Sequence, residues 1–152
     1  MTEVSPNNTD TRCGFVAVLG APNAGKSTLV NMLVGTKVSI VSPKVQTTRS
    51  IVRGIVMHDQ SQIVFVDTPG IFDGANRRLE RAMVSAAWSG ADDADAVLLV
   101  VDGSKALGRD ASQIVSALSR RLADRPCPVM LVVNKVDIAK KELLLVLTSH
   151  LN

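Results

Sequence analysis

Gly20-Ala21-Pro22-Asn23-Ala24-Gly25-Lys26-Ser27 fits the pattern G-x-x-x-x-G-K-[ST], the spacing of a loop that cradles phosphates. The chemistry needs this order. Backbone N–H groups at a helix start present a positive concavity to a polyphosphate. The two glycines permit close approach, and Lys26 adds a fixed cation beside the outer phosphates. Ser27 offers a hydroxyl to Mg²⁺, and Thr28 extends the loop. With glycine at about 7% usage, the four fixed positions match by chance in well under 1% of chains this long. A plain strand-turn-helix junction capped by Ser27 or Thr28 is the bland alternative, and it has no need of Lys26.

Two further segments suit the same ligand. In Asp67-Thr68-Pro69-Gly70, an Asp at a strand end can hold Mg²⁺ and the Gly70 N–H can bond a γ-phosphate. Alone the segment is weak, because a Pro-Gly turn explains it equally well. In Asn134-Lys135-Val136-Asp137, the Asp137 carboxylate can accept from the N1–H and N2–H₂ of guanine, a donor pair that adenine lacks. Discrimination built on such bonds reaches roughly 10⁴–10⁵. Asn134 can bond the base and brace the loops, and the Lys135 stem can cover the ring. The alternative for Asp137 is a helix N-cap before Ile138. Between the first two segments, Gln46-Thr47-Thr48-Arg49 offers a hydroxyl that could complete the Mg²⁺ shell and sense the γ-phosphate. Thr48 is preferred to Thr47.

The elements that must position these segments follow the pattern of an α/β domain. Apolar runs at Phe15–Leu19, Ala96–Val101 and Val129–Val133 read as strands, the last two as buried aliphatic ones. Ile51–Met57 and Ile63–Val66 read as an antiparallel hairpin. Helical spacing spans about Lys26 to Val34, with Gly35 as its C-terminal cap. It recurs over Leu79–Gly90, after Asp110 as a cap, and from about Ala139 to Leu151. Thr36–Ser50 reads as a long loop around an extended piece, Lys37–Val41, and residues 71–78 as a second loop. The expectation is a three-layer P-loop NTPase fold. Its sheet is mostly parallel with one antiparallel edge strand, and three side-by-side strands carry the three motifs at their carboxyl ends.

The chain has 152 residues, one domain's length, with residues 1–12 as a flexible polar tail and 13–152 as the nucleotide-binding domain. It is 46% hydrophobic and only 3% aromatic, which favours a Val/Ala/Leu core over an aromatic-rich sandwich. A net charge of +3 with scattered arginines suits solvated faces better than a nucleic-acid footprint. Cys13 and Cys127 match no metal or redox spacing and read as buried reduced thiols. No apolar run approaches a membrane span, the N-terminus has no signal pattern, and a cytoplasmic location follows by default.

Together these motifs resemble those of the Era family of ribosome-assembly GTPases in the translation-factor class. The likeness runs from Cys13-Gly14-Phe15 to the chain's end. It rests on Pro22-Asn23-Ala24-Gly25-Lys26-Ser27-Thr28, Gln46-Thr47-Thr48-Arg49, Asp67-Thr68-Pro69-Gly70 and Asn134-Lys135-Val136-Asp137. The resemblance implies a GTP/GDP switch acting in 30S assembly and rRNA maturation. Lys26, Thr48 and Gly70 take catalytic roles, and Ser27, Thr48 and Asp67 hold Mg²⁺. A KH domain would follow and contact 16S rRNA. The family is cytoplasmic with some peripheral inner-membrane association, and a monomer is expected. Ile71 stands where Ras-like enzymes carry a water-orienting Gln, which implies slow turnover. Asn23 matches the Asn that helps hold K⁺ in related GTPases. The family's Ser-Ala guanine loop, last strand and last helix lie beyond Asp137 and have no match here, so a fragment of a longer polypeptide is expected. The rival functions are a guanine-nucleotide-dependent binding module with negligible hydrolysis and, more weakly, an ATP-using enzyme.

Overall fold

A computed structural model describes residues 11–41, 50–72 and 78–151. Five strands form one sheet in the order β2-β3-β1-β4-β5. They are β1 (Arg12–Leu19), β2 (Val52–His58), β3 (Ser61–Asp67), β4 (Ala96–Asp102) and β5 (Val129–Asn134). The helices are α1 (Lys26–Val34), α2 (Arg78–Asp92), α3 (Arg109–Asp124) and α4 (Lys141–Leu151). All pairings are parallel except β2 with β3, which closes the expected hairpin through Asp59 and Gln60. The chain moves from β1 to one side of the sheet and later crosses to the other, so the loop after β1 sits where the winding reverses. Ligands of open α/β sheets bind in that crevice.

Strand alternation splits the core between the two faces. Ala17 and Leu19 of β1, with Val97, Leu99 and Val101 of β4, pack against Ala87 of α2 and Ile114 and Leu118 of α3. Val18 and Val100 face the other way, towards Val30 of α1. Helix α1 spans the residues expected of it. It ends where Gly35 (φ 76°) donates its N–H to the Asn31 and Met32 carbonyls.

Several sequence expectations need correction. β1 and β3 are neighbours, but β4 stands between β1 and β5, so the three motif-bearing strands are not all side by side. β1 begins at Arg12, whose N–H bonds the Gln60 carbonyl, so the expected tail stops short of residue 12. Among the described residues β5 pairs only with β4, and Met130 is 64% exposed, so the strand is not covered as its aliphatic sequence leads one to expect. α2 takes in Arg78, expected in the preceding loop, and continues past Gly90 to Asp92. Gly108, not Asp110, holds the cap position of α3, and Asp110 lies in the first turn, where its charge favours the helix dipole. Cys13 is exposed and Cys127 half-buried, and both are free. The extended piece Lys37–Val41 joins no strand among the described residues. The Asn31 side chain holds it instead, accepting from the Val38 and Ser39 N–H groups at 2.9 and 2.8 Å and donating to the Ser39 carbonyl at 2.9 Å. Most of residues 1–12, with Gln46, Thr47, Thr48 and Arg49, fall outside the described residues.

Candidate functional site

The loop from Gly20 to Ser27 leaves the buried end of β1 and turns into α1. Three of its residues have positive φ, Gly20 (154°), Asn23 (61°) and Gly25 (98°). A Cβ at Gly25 would stand 2.1 Å from Nδ2 of Asn134, so this glycine is what lets the β5 loop reach the phosphate loop. Lys26 is buried, and its Nζ folds over the loop to donate to the Gly20 and Ala21 carbonyls at 3.1 and 3.0 Å. Burial lowers its pKa from 10.5 to about 8, and the Asp67 carboxylate opposes that fall. Ser27 Oγ donates to Oδ2 of Asp67 at 2.7 Å, with both residues buried. Ala24 is buried, Ala21 and Pro22 are half-buried, and Thr28 is exposed at the start of the helix.

The second segment docks directly on the first. Thr68 is fully buried and donates Oγ1 to the Val18 carbonyl at 2.7 Å, which ties the end of β3 to β1. Pro69 is buried. A Cβ at Gly70 would stand 2.8 Å from Pro22 Cα, so only glycine allows this approach. The N–H of Ile71 then donates to the Gly20 carbonyl at 3.1 Å, and its side chain is buried in the core.

The third segment arrives across β4. Asn134 Nδ2 donates to the Ala24 carbonyl at 2.9 Å, a brace between residues 110 positions apart. Lys135, also left-handed (φ 59°), donates Nζ to the Asn23 carbonyl at 2.7 Å and to Oδ2 of Asp102 at 2.8 Å. Asp102 in turn accepts from the N–H and hydroxyl of Ser104 at 3.0 and 2.5 Å. Partial burial alone would raise its pKa, but the bonds from Lys135 and Ser104 outweigh burial and hold it below the usual carboxylate range. Val136 and Asp137 are exposed in the turn after β5. The Ile138 and Ala139 N–H groups close that turn onto the Lys135 and Val136 carbonyls, and α4 starts only at Lys141. Asp137 is therefore not the N-cap that the sequence allowed, and it makes no hydrogen bond or ion pair among the described residues.

Every described residue that the sequence assigned to the nucleotide or Mg²⁺ lies in these three segments. Sequence reasoning missed Asp102, Ser104 and Asn31. The first two had a signal, since Asp102-Gly103-Ser104 ends an aliphatic strand as a side-chain-stabilised turn does.

A mostly parallel sheet with one antiparallel pair, a glycine-lysine phosphate loop at its switch point and helices on both faces is a P-loop GTPase fold. A family model described as 50S ribosome-binding GTPase matches residues 15–135. The chain belongs to that family. It is 57% identical to GTPase Era of Mesorhizobium japonicum over 153 aligned residues, covering all of this chain and 48% of that protein. Among solved structures it resembles Era in complex with MgGDPNP and nucleotides 1506–1542 of 16S ribosomal RNA. There the TM-score is 0.80 and the identity 37%, over 92% of this chain and 46% of that one. A single-residue variant of Aquifex aeolicus Era, bound to GDP·AlF4⁻, gives a TM-score of 0.79 at 38% identity, over 91% of this chain and 46% of that one. The chain thus spans about half the length of the curated relatives it matches. Among the described residues no helix is long and apolar enough to cross a membrane.

Proposed function

We propose that the chain is the nucleotide-binding domain of a GTP-hydrolysing switch that serves 30S assembly and rRNA maturation. The observation that carries this reading is the convergence of Lys26, Asp67, Asn134 and Lys135 on one phosphate loop, through the Ser27–Asp67, Asn134–Ala24 and Lys135–Asn23 contacts. The role in ribosome assembly rests on the likeness to Era, one example of which was solved on a 16S rRNA segment. In the full polypeptide a KH domain beyond residue 152 supplies the main RNA contacts. The protein is a cytoplasmic monomer with peripheral association at the inner membrane.

Lys26 and the loop N–H groups hold the phosphates. Asp137 selects guanine, and Asn134 and Lys135 keep its loop against the phosphate loop. The Gly70 N–H reads the γ-phosphate, a role supported by the close approach of Gly70 to Pro22 of the phosphate loop. The buried hydroxyl–carboxylate pair of Ser27 and Asp67 is a hard-oxygen donor set that fits Mg²⁺, with Thr48 as the third expected ligand. Bound there, the ion neutralises charge on the transferring phosphoryl group.

Single-turnover hydrolysis of GTP with ATP as competitor tests the proposal. GTP cleavage unaffected by equimolar ATP is the expected result, and equal binding of ATP overturns the guanine assignment. One observation favours the second reading, a binding module with negligible hydrolysis. Ile71 is apolar and buried, so it orients no water. Intrinsic turnover is accordingly slow. The cation assignment at Asn23 gives a separate expectation: turnover is faster in K⁺ than in Na⁺ at equal ionic strength. Equal rates would remove K⁺ from the mechanism.

A further inference from the structure

We propose that Asp102 is a positioning residue for nucleotide retention, acting through Lys135 on the Asn23 turn of the phosphate loop. The inference rests on the guanine-nucleotide reading above. Three observations carry it. Lys135 has left-handed backbone, which a non-glycine side chain disfavours and which persists only where its surroundings enforce it. Its ammonium is shared between two acceptors, the Asn23 carbonyl at 2.7 Å and Asp102 Oδ2 at 2.8 Å. Asp102 itself is held from the other side by both donors of Ser104, and its side chain is only 13% exposed.

The result is a continuous clasp running from Ser104 to Asp102, Lys135 and Asn23. Asn23 is also left-handed, so the carbonyl that Lys135 engages belongs to the bend of the loop that wraps the phosphates. A second strap runs beside the first: the Gly103 N–H donates to the Asn134 carbonyl at 2.8 Å, and Asn134 reaches Ala24. The loop after β4, which the sequence motifs leave out, therefore ties the base-selecting loop to the phosphate loop. Lys105 also approaches Asp102 Oδ2, at 3.9 Å, but it is 73% exposed and solvent screens it, so it cannot replace Lys135. Asp102 acts on how long nucleotide stays bound, not on which base is chosen, because it lies against the lysine and not against Asp137.

The test is stopped-flow dissociation of a fluorescent GDP from the full chain and its variants, with xanthosine diphosphate as competitor. Asp102→Asn speeds GDP release about tenfold, as expected for loss of a charge-assisted bond. It leaves the preference for guanine over xanthine unchanged. Ser104→Ala, a milder change at the outer end of the clasp, gives a rise of about threefold. In a Lys135→Met background, Asp102→Asn adds less than about twofold, because the path it acts through is gone. Release from Asp102→Asn within about twofold of the parent overturns the proposal, as does the full tenfold effect persisting without Lys135. If Asp102→Asn does not fold, Ser104→Ala decides: an unchanged rate refutes the clasp. Failure of the unmutated chain to hold fluorescent GDP is a different outcome, and it refutes the guanine-nucleotide reading itself.

Discussion

Replacing Asp137 with Asn converts a guanine site into a xanthine site. On the proposed reading, the carboxylate accepts from N1–H and N2–H₂ of guanine. An amide keeps one acceptor but turns an N–H₂ donor towards the guanine N2–H₂, leaving two donors opposed. Xanthine carries a carbonyl oxygen there and accepts from the amide. Sites that rely on paired hydrogen bonds reject a mismatched partner by roughly 10⁴–10⁵, so the preference between GTP and XTP moves by that order. Folding is the control. Asp137 is exposed and caps no helix, so the nucleotide-free variant melts within about 0.5 kcal/mol of the parent. Displacement of labelled GTP by unlabelled GTP and XTP measures the change. Unchanged GTP affinity in the variant would remove Asp137 from the site.

Lys26→Met has two effects of opposite sign. Nucleotide binding falls by on the order of 10²–10³-fold, because a buried charge partner of the phosphates costs about 2–5 kcal/mol to truncate. The nucleotide-free protein, in contrast, is as stable as the parent or more so. The ammonium is buried there, and its pKa of about 8 shows that burial disfavours its charge. The carbonyls it would abandon keep other donors: Gly20 accepts from the Ile71 N–H at 3.1 Å and Ala21 from the Ala24 N–H at 3.3 Å. Methionine has a similar reach and no charge to bury.

The pH dependence of that stability gap has a fixed sign. The folded pKa of Lys26 lies below the unfolded value of 10.5, so between about pH 8 and 10.5 the unfolded chain binds more protons. The cost of burying the charge is fully present below about pH 8 and fades as pH rises through that window. The stability advantage of Lys26→Met over the parent therefore narrows between about pH 8 and 10.5. Paired thermal melts without nucleotide show this, and a gap that widens with pH contradicts it.

Much of this fold can be read from local signals. The aliphatic run of β1, the phosphate loop, helix α1 with its Gly35 cap, and the hairpin all rest on short-range constraints of backbone angle and hydrophobic period. Boundary and burial errors came where the neighbourhood decides. Val129–Val133 reads as a covered strand because its residues are aliphatic, yet among the described residues it pairs only with β4 and Met130 is exposed. Asp110 and Asp137 carry the right side chain for a cap, but α3 starts at Arg109 and α4 at Lys141, so neither stands at the required position.

The sequence by itself determined the chemistry on offer: phosphate-binding glycines, one lysine, a hydroxyl and a carboxylate for a hard cation, and a carboxylate suited to guanine. Each of these is set by residue type at fixed spacing. Only the tertiary structure decided how they are held together. The bonds from Asn134 to Ala24 and from Lys135 to Asp102 join residues 110 and 33 positions apart. Contacts between a side chain and a partner far off in sequence leave no period or spacing in the chain. They exist because parallel strands bring their carboxyl ends to one edge of the sheet, where loops far apart in sequence must share a small volume and satisfy one another's polar groups.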